Sequence, residues 1–385
     1  MIVANTADDR ELARRRLPLF LFDYIDGGSF SELTLRRNVS ELEAIILRQR
    51  VMKDVSVLDT STTLFGDPVS MPLALAPVGF SGMFAKRGEV QGVRAAQAAG
   101  VGFTLSTMSI CSIEEVRAAA QRPIWFQLYM IKDRGYMVEL LARAAALGTG
   151  TLMFTVDLPV SGTRYRDMRS GFSNALTPLQ QMRRALHTAT RPAWVRDVYL
   201  GGRPHHFGNL IDAIKEKQAG DFVGWIHRNF DPTVTWNDVA WVRRHWAGKI
   251  VIKGILDPED ARSALAAGAD GVVVSNHGGR QLDGVLPAIT ALPPVVEAVG
   301  DAMTVLMDGG VRSGLDILKA LALGAKGVLI GRAWAYALAA GGEAGVARML
   351  ARMQAELRVA MTLTGCTDVK QAGTDLLIPN PPGRR

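Results

Sequence analysis

Cysteine is scarce in this chain: Cys111 and Cys366 are the only two among 385 residues. Two cysteines cannot build a disulfide framework, and with six scattered histidines and no metal-ligand spacing, no metal is expected. This usage fits a reducing compartment. Long apolar runs are missing too. None approaches the roughly 18–20 uninterrupted apolar residues of a spanning helix, so any membrane contact would be peripheral. Arg14-Arg15-Arg16 followed by the apolar stretch 17–22 imitates an export signal, but the stretch is short, contains Pro18 and stops at Asp23. No small-residue cleavage pattern follows it, so export is not expected. Charge is not extreme: 44 Lys and Arg against 37 Asp and Glu leave +7. That excess suits anionic substrates, acidic lipids or plain solubility, and no nucleic-acid partner is expected.

What is abundant is core material. At 48% apolar the chain supplies a substantial interior, and no tandem repeat or low-complexity tract interrupts it. Eight apolar, often β-branched runs read as strands: 73–76, 103–106, 125–129, 151–156, 250–253, 271–275, 304–308 and 327–330. Ala-rich helical stretches at 88–99, 113–120, 136–146, 258–267 and 314–323 are each long enough to return to a parallel neighbour. Eight such units predict an α/β fold of the (β/α)8 TIM-barrel type, with an N-terminal helical segment. A single domain over 1–378 is expected, with 379–385 as a tail. The rhythm breaks once, between strands 4 and 5. Residues 165–235 therefore read as an inserted basic loop region carrying Trp194, Tyr199, Phe207 and Trp225. Within it, 181–217 holds seven Lys/Arg (Arg183, Arg184, Arg191, Arg196, Arg203, Lys215, Lys217) against Asp197, Asp212 and Glu216.

In a TIM barrel the polar residues that end the strands converge on one rim. Strand 6 runs into Ser275-Asn276-His277-Gly278-Gly279-Arg280-Gln281. His277 can take a proton near neutral pH, and Arg280 offers a planar fork to a carboxylate. Asp157, ending strand 4, is the expected partner of His277; a carboxylate orients an imidazole and raises its pKa relative to an unpaired site. The loop after it holds Arg164 among three arginines. Tyr24 and Tyr129 either donate to a substrate oxygen or pack as amphipathic core residues.

The loops after strands 7 and 8, Asp308-Gly309-Gly310-Val311-Arg312 and Gly331-Arg332, read as a phosphate site, where backbone N–H groups and arginines meet an anion. Asp308 suits ribityl or ribose hydroxyls, or a helix cap. Ser106, Gln127 and Thr155, polar groups at one end of consecutive apolar strands, suit the edge of a polar heterocycle. Lys253, inside an apolar strand, needs a partner or a task. Three tasks compete: a structural ion pair, a Schiff-base nucleophile of an aldolase, or a fixed cation beside a reduced cofactor.

With these residues assembled, the chain from Tyr24 to about Gly365 resembles the FMN-dependent α-hydroxy acid dehydrogenase/oxidase family, closest to its bacterial respiratory L-lactate dehydrogenase branch. The strongest marks are the His277 heptad, the Asp308 loop, Trp125-Phe126-Gln127-Leu128-Tyr129 and Lys253-Gly254-Ile255-Leu256-Asp257-Pro258. The resemblance implies His277 as the base supported by Asp157, Arg164 and Arg280 as the carboxylate clamp, and Tyr24 and Tyr129 as substrate-binding hydroxyls. It implies FMN held by Val78 and Gly79 near its reactive face, by Ser106, Gln127 and Thr155 along the ring and by Lys253 near the N1/C2 carbonyl. Asp308 would follow the ribityl chain, Gly310, Arg312, Gly331 and Arg332 the phosphate, and Gly309 would also bind the cofactor.

The substrate implied is a small 2-hydroxy acid, L-lactate foremost, with electrons passing to a membrane quinone or another acceptor. A lactate oxidase using O2 and a mandelate dehydrogenase are the alternatives within the family. Met108 and Ser161 stand where plant glycolate oxidases carry larger groups, so the pocket should admit more than glycolate. Glycine at position 79, where related oxidases often have alanine, implies poor use of oxygen. The resemblance also implies a homotetramer at the cytoplasmic face of the bacterial inner membrane. There the 181–217 segment, with Trp194, Tyr199 and Phe207, would meet an anionic membrane surface.

Overall fold

A computed structural model describes residues 2–172, 176–211 and 222–379. Eight parallel strands close into a barrel in sequence order: Leu73–Leu75, Gly102–Ser106, Trp125–Leu128, Thr151–Thr155, Lys249–Ile255, Gly271–Val274, Thr304–Asp308 and Gly327–Ile330. Strand 6 pairs with strand 7, and strand 8 returns to strand 1, so no edge is left open. These are the predicted strands, differing by one or two residues at some ends. Their burial explains the continuous apolar runs, since helices cover the outside and side chains fill the inside. Ala74, Trp125, Met153, Val251, Val273 and Leu306 make the inner core. A hairpin, Thr62–Leu64 with Asp67–Val69, plugs its lower end; Phe65 meets the Trp125 ring and Asp67 accepts from the Trp125 indole N–H at 2.7 Å.

Strand 5 outlasts its prediction by an irregularity. Its pairing with strand 6 shifts between Lys253 and Ile255, at Gly254, whose φ is +114°. A Cβ on Gly254 would sit 2.6 Å from that of Asp157, so only glycine lets strand 5 pass the end of strand 4.

The insertion corrects an expectation. The described part of 165–235 is not one loop: Tyr165–Ser170, Pro178–Ala189, Pro192–Trp194 and Phe222–Asn229 are helical, and Val195–Leu200 forms a π-helical turn. Trp194 and Phe207 do not present themselves to a membrane. Both are fully buried, and Trp194 donates its indole N–H to the Met83 carbonyl at 2.8 Å. Trp225 is buried as well, while Tyr199 is exposed. Asp212, Lys215, Glu216 and Lys217 lie outside the described residues, as do 380–385 of the expected tail.

Three helices precede the barrel: α1 (Thr6–Arg16), α2 (Leu19–Asp26) and α3 (Leu33–Ala44). A capping box at Asn5 starts α1, and Pro18 separates it from α2. Asp26, buried at the end of α2, is the fastening point. It accepts from Arg10 of α1, from Arg166 at 2.6 Å and from the Tyr336 hydroxyl at 2.7 Å. Burial alone would raise its pKa; the bonds from Arg10, Tyr336 and Arg166 prevail and hold it well below the usual carboxylate range.

A carboxylate held low in the fold contributes stability above its unfolded pKa, near 3.9, and loses it as pH falls further. Asp26→Ala should therefore lower unfolding stability by about 3 kcal/mol at pH 7, because it strands two guanidinium groups. Denaturant titrations across pH should show this deficit shrinking below about pH 4. A constant deficit down to pH 2 would argue against an ionic fastening.

Candidate active site

A cavity of about 420 Å³ opens at the C-terminal ends of the strands, and residues from every strand end or the loop following it reach it. His277 lies at its centre in the left-handed region, φ +56°, a conformation costly for a side chain with a Cβ. The strand end fixes it there: the His277 N–H donates to Ser275 Oγ at 3.0 Å, and Nδ1 lies 2.8 Å from Asp157 Oδ1. A carboxylate can only accept, so Nδ1 carries the proton and Nε2 keeps its lone pair. Nε2 stands 3.5 Å from the Tyr129 hydroxyl.

Burial lowers the pKa of His277 more than Asp157 raises it, and the nearby charges of Lys253 and Arg164 lower it further. The net direction is downward. Asp157 raises the value relative to an unpaired site, as its position suggested, but does not set the sign. For Asp157 burial acts upward, yet His277 and Lys253 prevail and hold it below its ordinary value. The Tyr129 hydroxyl is pushed up, by burial first and then by Asp157, and remains a donor.

The arginines divide into two kinds. Arg280 Nη1 donates to the carbonyls of Tyr24 and Gly27, with its guanidinium 4.7 Å from the Tyr24 ring centre. Arg332 spends all three nitrogens on backbone: Nε on Ile25 at 3.0 Å, Nη1 on Gly278 at 2.7 Å and Nη2 on Gly27 at 2.7 Å. Burial pushes it down to about 9. Arg164 has looser attachments, 3.3 Å to the Arg280 carbonyl and 3.7 Å to Asp167 Oδ2. Burial, then the charge of Arg280, pushes it down to about 10. Two crowded guanidinium groups with one loosely held carboxylate form a site that gains by admitting another anion.

Lys253 Nζ lies 2.9 Å from Asp308 Oδ2 and 3.0 Å from Ser275 Oγ. Burial would lower its pKa, but Asp308 and Asp157 raise it overall. Lys253 is thus a held cation. A Schiff-base nucleophile needs a neutral amine, so this setting disfavours the aldolase reading.

Among the buried polar atoms in and around the cavity that have no hydrogen-bond partner among the described residues are Gln127 Nε2, Thr155 Oγ1 and Asp308 Oδ1, beside Asp157 Oδ2 and Asp167 Oδ1. The Ser106 hydroxyl donates to Gln127 Oε1 at 3.0 Å and fixes which way the amide faces. Gly331 caps the helix Arg332–Thr364, and a Cβ there would meet nothing nearer than 4.0 Å. Packing therefore leaves an open cradle at a helix N-terminus beside Arg312 and Arg332, which suits a phosphate. Donors for a heterocycle edge, a free carboxylate oxygen for hydroxyls and a phosphate cradle occur in one cavity. The residues present fit FMN. Gly309 and Gly310 have φ of +89° and +92°, and a Cβ on Gly310 would fall 2.1 Å from the Asn38 carbonyl of α3. Gly310 is thus required by packing whatever it binds. Val78, Gly79, Met108 and Ser161 all line the cavity.

Sequence reasoning did not single out Asp167, Phe172 or a role for Ser275. Phe172 stacks on Tyr24, with ring centres 4.5 Å apart, and comes from the insertion, where no periodic signal marks it. Ser275 was legible as a strand-end hydroxyl; it holds both the Lys253 ammonium and the His277 backbone.

Residues 13–379 match the family described as FMN-dependent dehydrogenase. An L-lactate dehydrogenase of Caulobacter vibrioides (strain NA1000 / CB15N) is 58% identical, covering 99% of both chains. Another from Pseudomonas aeruginosa is 55% identical, over 98% of this chain and 99% of its own. Among solved structures, the monotopic membrane protein (S)-mandelate dehydrogenase superposes with a TM-score of 0.91 at 34% identity, covering 98% of this chain and 100% of that one. A mandelate oxidase gives 0.83 at 40%, covering 98% of each.

The environment of His277 makes a titration prediction. Among the six histidines, His277 should lose its proton below 6.5 in ring-labelled NMR spectra. Asp157→Asn should move that midpoint lower still, since it removes the one carboxylate opposing burial. A rise in the variant would contradict the assigned pairing.

Proposed function

We propose, from the premise that the chain belongs to the FMN-dependent dehydrogenase family, that it oxidises L-lactate to pyruvate and passes the electrons to a membrane quinone. The His277–Asp157 pair facing two under-neutralised arginines carries the reading. FMN, when bound, supplies the two-electron acceptor. Arg164 and Arg280 hold the lactate carboxylate, whose charge relieves their mutual repulsion. The Tyr129 hydroxyl donates to a substrate oxygen. His277 Nε2 takes the proton, and Asp157, 2.8 Å from Nδ1, stabilises the imidazolium that results. The same acceptor serves whether the hydroxyl or the carbon yields that proton. Gln127, Thr155, Lys253, Asp308, Arg312 and the Gly331 cradle hold the cofactor.

The relatives at 54–58% identity are named for L-lactate, which favours it over the mandelate of the structural neighbours. L-Lactate should bleach the yellow holoenzyme without oxygen. His277→Gln should retain FMN and lose that reduction by roughly 10²–10⁴-fold. Normal bleaching in the variant would remove His277 as proton acceptor. Lys253→Met should retain FMN less tightly and lower its midpoint potential, because a buried cation favours the electron-rich form; an unchanged potential would count against that role.

The helix Pro178–Ala189 supports peripheral docking at the cytoplasmic face of an anionic membrane. None of its residues is buried, and Leu179, Met182 and Leu186, spaced for one stripe, are all exposed beside Arg183. No helix among the described residues is long and apolar enough to cross a membrane. Replacing all three apolar residues by serine should abolish flotation with anionic liposomes while leaving lactate oxidation by ferricyanide intact. Undiminished flotation would discount the helix.

A further inference from the structure

A second cavity, of about 540 Å³, opens where strands 3, 4 and 5 end, beside the first. Its size falls in the roughly 300–1,000 Å³ range of small-molecule sites. Met130, Phe154, Val156, Val234, Trp236 and Val239 give it apolar walls. Among the described residues, no lysine or arginine lines it. Its charged lining groups are Asp231 and Asp260. Asp231 is paired with Arg134 at 2.6 Å; the pKa of Asp260 is raised, by burial and then by Asp257.

The two cavities are opposite in character. The first is lined by Arg164, Arg280, Arg312, Arg332 and Lys253 and takes anions. The second offers an anion no cation and two carboxylates, so neither a hydroxy acid nor a phosphate suits it. Its mixed lining, apolar side chains with the hydroxyl-bearing Tyr129, Thr155 and Thr235 among them, fits a neutral, flat molecule that carries hydrogen-bonding groups. Tyr129, Thr155, Leu158 and Phe230 line both cavities, so the partition is one side chain thick, with the Tyr129 and Phe230 ring centres 5.0 Å apart. The lactate chemistry leaves this space unused.

We propose that the second cavity seats the ring of a quinone-class acceptor, which reoxidises the cofactor across the Tyr129/Phe230 partition. This rests on the FMN dehydrogenase reading above and names where its acceptor binds. The exchange would balance: the bound cofactor would return the two electrons and one proton of lactate, the His277 imidazolium the second proton, and the two quinone carbonyl oxygens would become hydroxyls, leaving cofactor and His277 as they began. Both partners turn over without a further reactant.

Val234 is half-buried at the cavity wall and touches neither the lactate clamp nor the cofactor set. Val234→Trp should raise the KM for decylubiquinone at least 10-fold while leaving anaerobic bleaching by L-lactate and ferricyanide-coupled turnover unchanged. Photolabelling of the wild-type holoenzyme with an azido-ubiquinone supplies a readout independent of turnover. Label should fall within 129–130, 154–159, 230–239 or 254–260, the segments that line the cavity, and be displaced by decylubiquinone but not by L-lactate. Label elsewhere, or an unchanged quinone KM in an otherwise active variant, overturns the assignment of the cavity. If the variant also loses ferricyanide turnover, the labelling decides. A wild-type enzyme that L-lactate bleaches but that reduces no decylubiquinone overturns the quinone reading itself.

Discussion

Two arginines from rim loops one strand apart hold the last turn of one short helix, and the site depends on that grip. Arg280 follows strand 6 and Arg332 follows strand 8; both donate to carbonyls at the end of α2, from Tyr24, Ile25 and Gly27. The last carbonyls of a helix have no partner within it, and its C-terminus carries partial negative charge. Guanidinium groups removed from water need acceptors of that kind. Each need answers the other, so α2 is anchored over the strand ends without a covalent link. Asp26 then ties the same turn to α1, to Arg166 of the insertion and to Tyr336 of the last long helix. Tyr24 is placed against Arg280 as a consequence.

This grip also sets the charge of the cavity. Arg332 is satisfied by neutral carbonyls, so its positive charge is held without a neutralising carboxylate in contact. Arg164 has only a distant Asp167. The protein therefore builds an excess of positive charge, which the proposed function completes with two anions, a cofactor phosphate and a substrate carboxylate. In the proposed reaction, proton transfer is coupled to that completion. His277 is depressed by burial and by Lys253 and Arg164, so it stays free to accept a proton; an arriving carboxylate offsets those cations and eases its protonation. Binding and basicity rise together.

Much of this was legible in the sequence, for identifiable reasons. Strands 7 and 8 were bounded correctly because β-branched runs end abruptly at Asp308 and at Gly331, where side-chain chemistry changes. His277, Asp157 and Lys253 stood out as polar groups at apolar strand ends. The partners of Arg332 on α2 did not: the Gly27 carbonyl lies 305 residues away, and a backbone carbonyl leaves no trace in composition. The insertion misled for a related reason. Tryptophan and phenylalanine among arginines describe a membrane face and a packed core equally well, and Trp194 settled in the core because Met83 offers its indole an acceptor. Leu179, Met182 and Leu186, whose spacing does favour one exposed stripe, are the residues that the same segment leaves outside.

Lys253 shows how much a neighbour changes a chemical reading. A lysine on a barrel strand is an aldolase nucleophile when desolvation frees its amine and a fixed charge when carboxylates surround it. Here Asp308 is in contact and Asp157 is near, and together they outweigh burial. Asp157 thereby acts on two groups at once, holding the imidazole of His277 through Nδ1 and favouring the charge on Lys253. A single carboxylate at the end of strand 4 thus links His277 to Lys253, the proposed proton acceptor to the proposed cofactor-facing cation. For this reason Gly254 matters beyond its turn: its missing Cβ is what lets Asp157 occupy the gap between strands 4 and 5. A side chain at that position would displace the carboxylate and disturb both groups it serves.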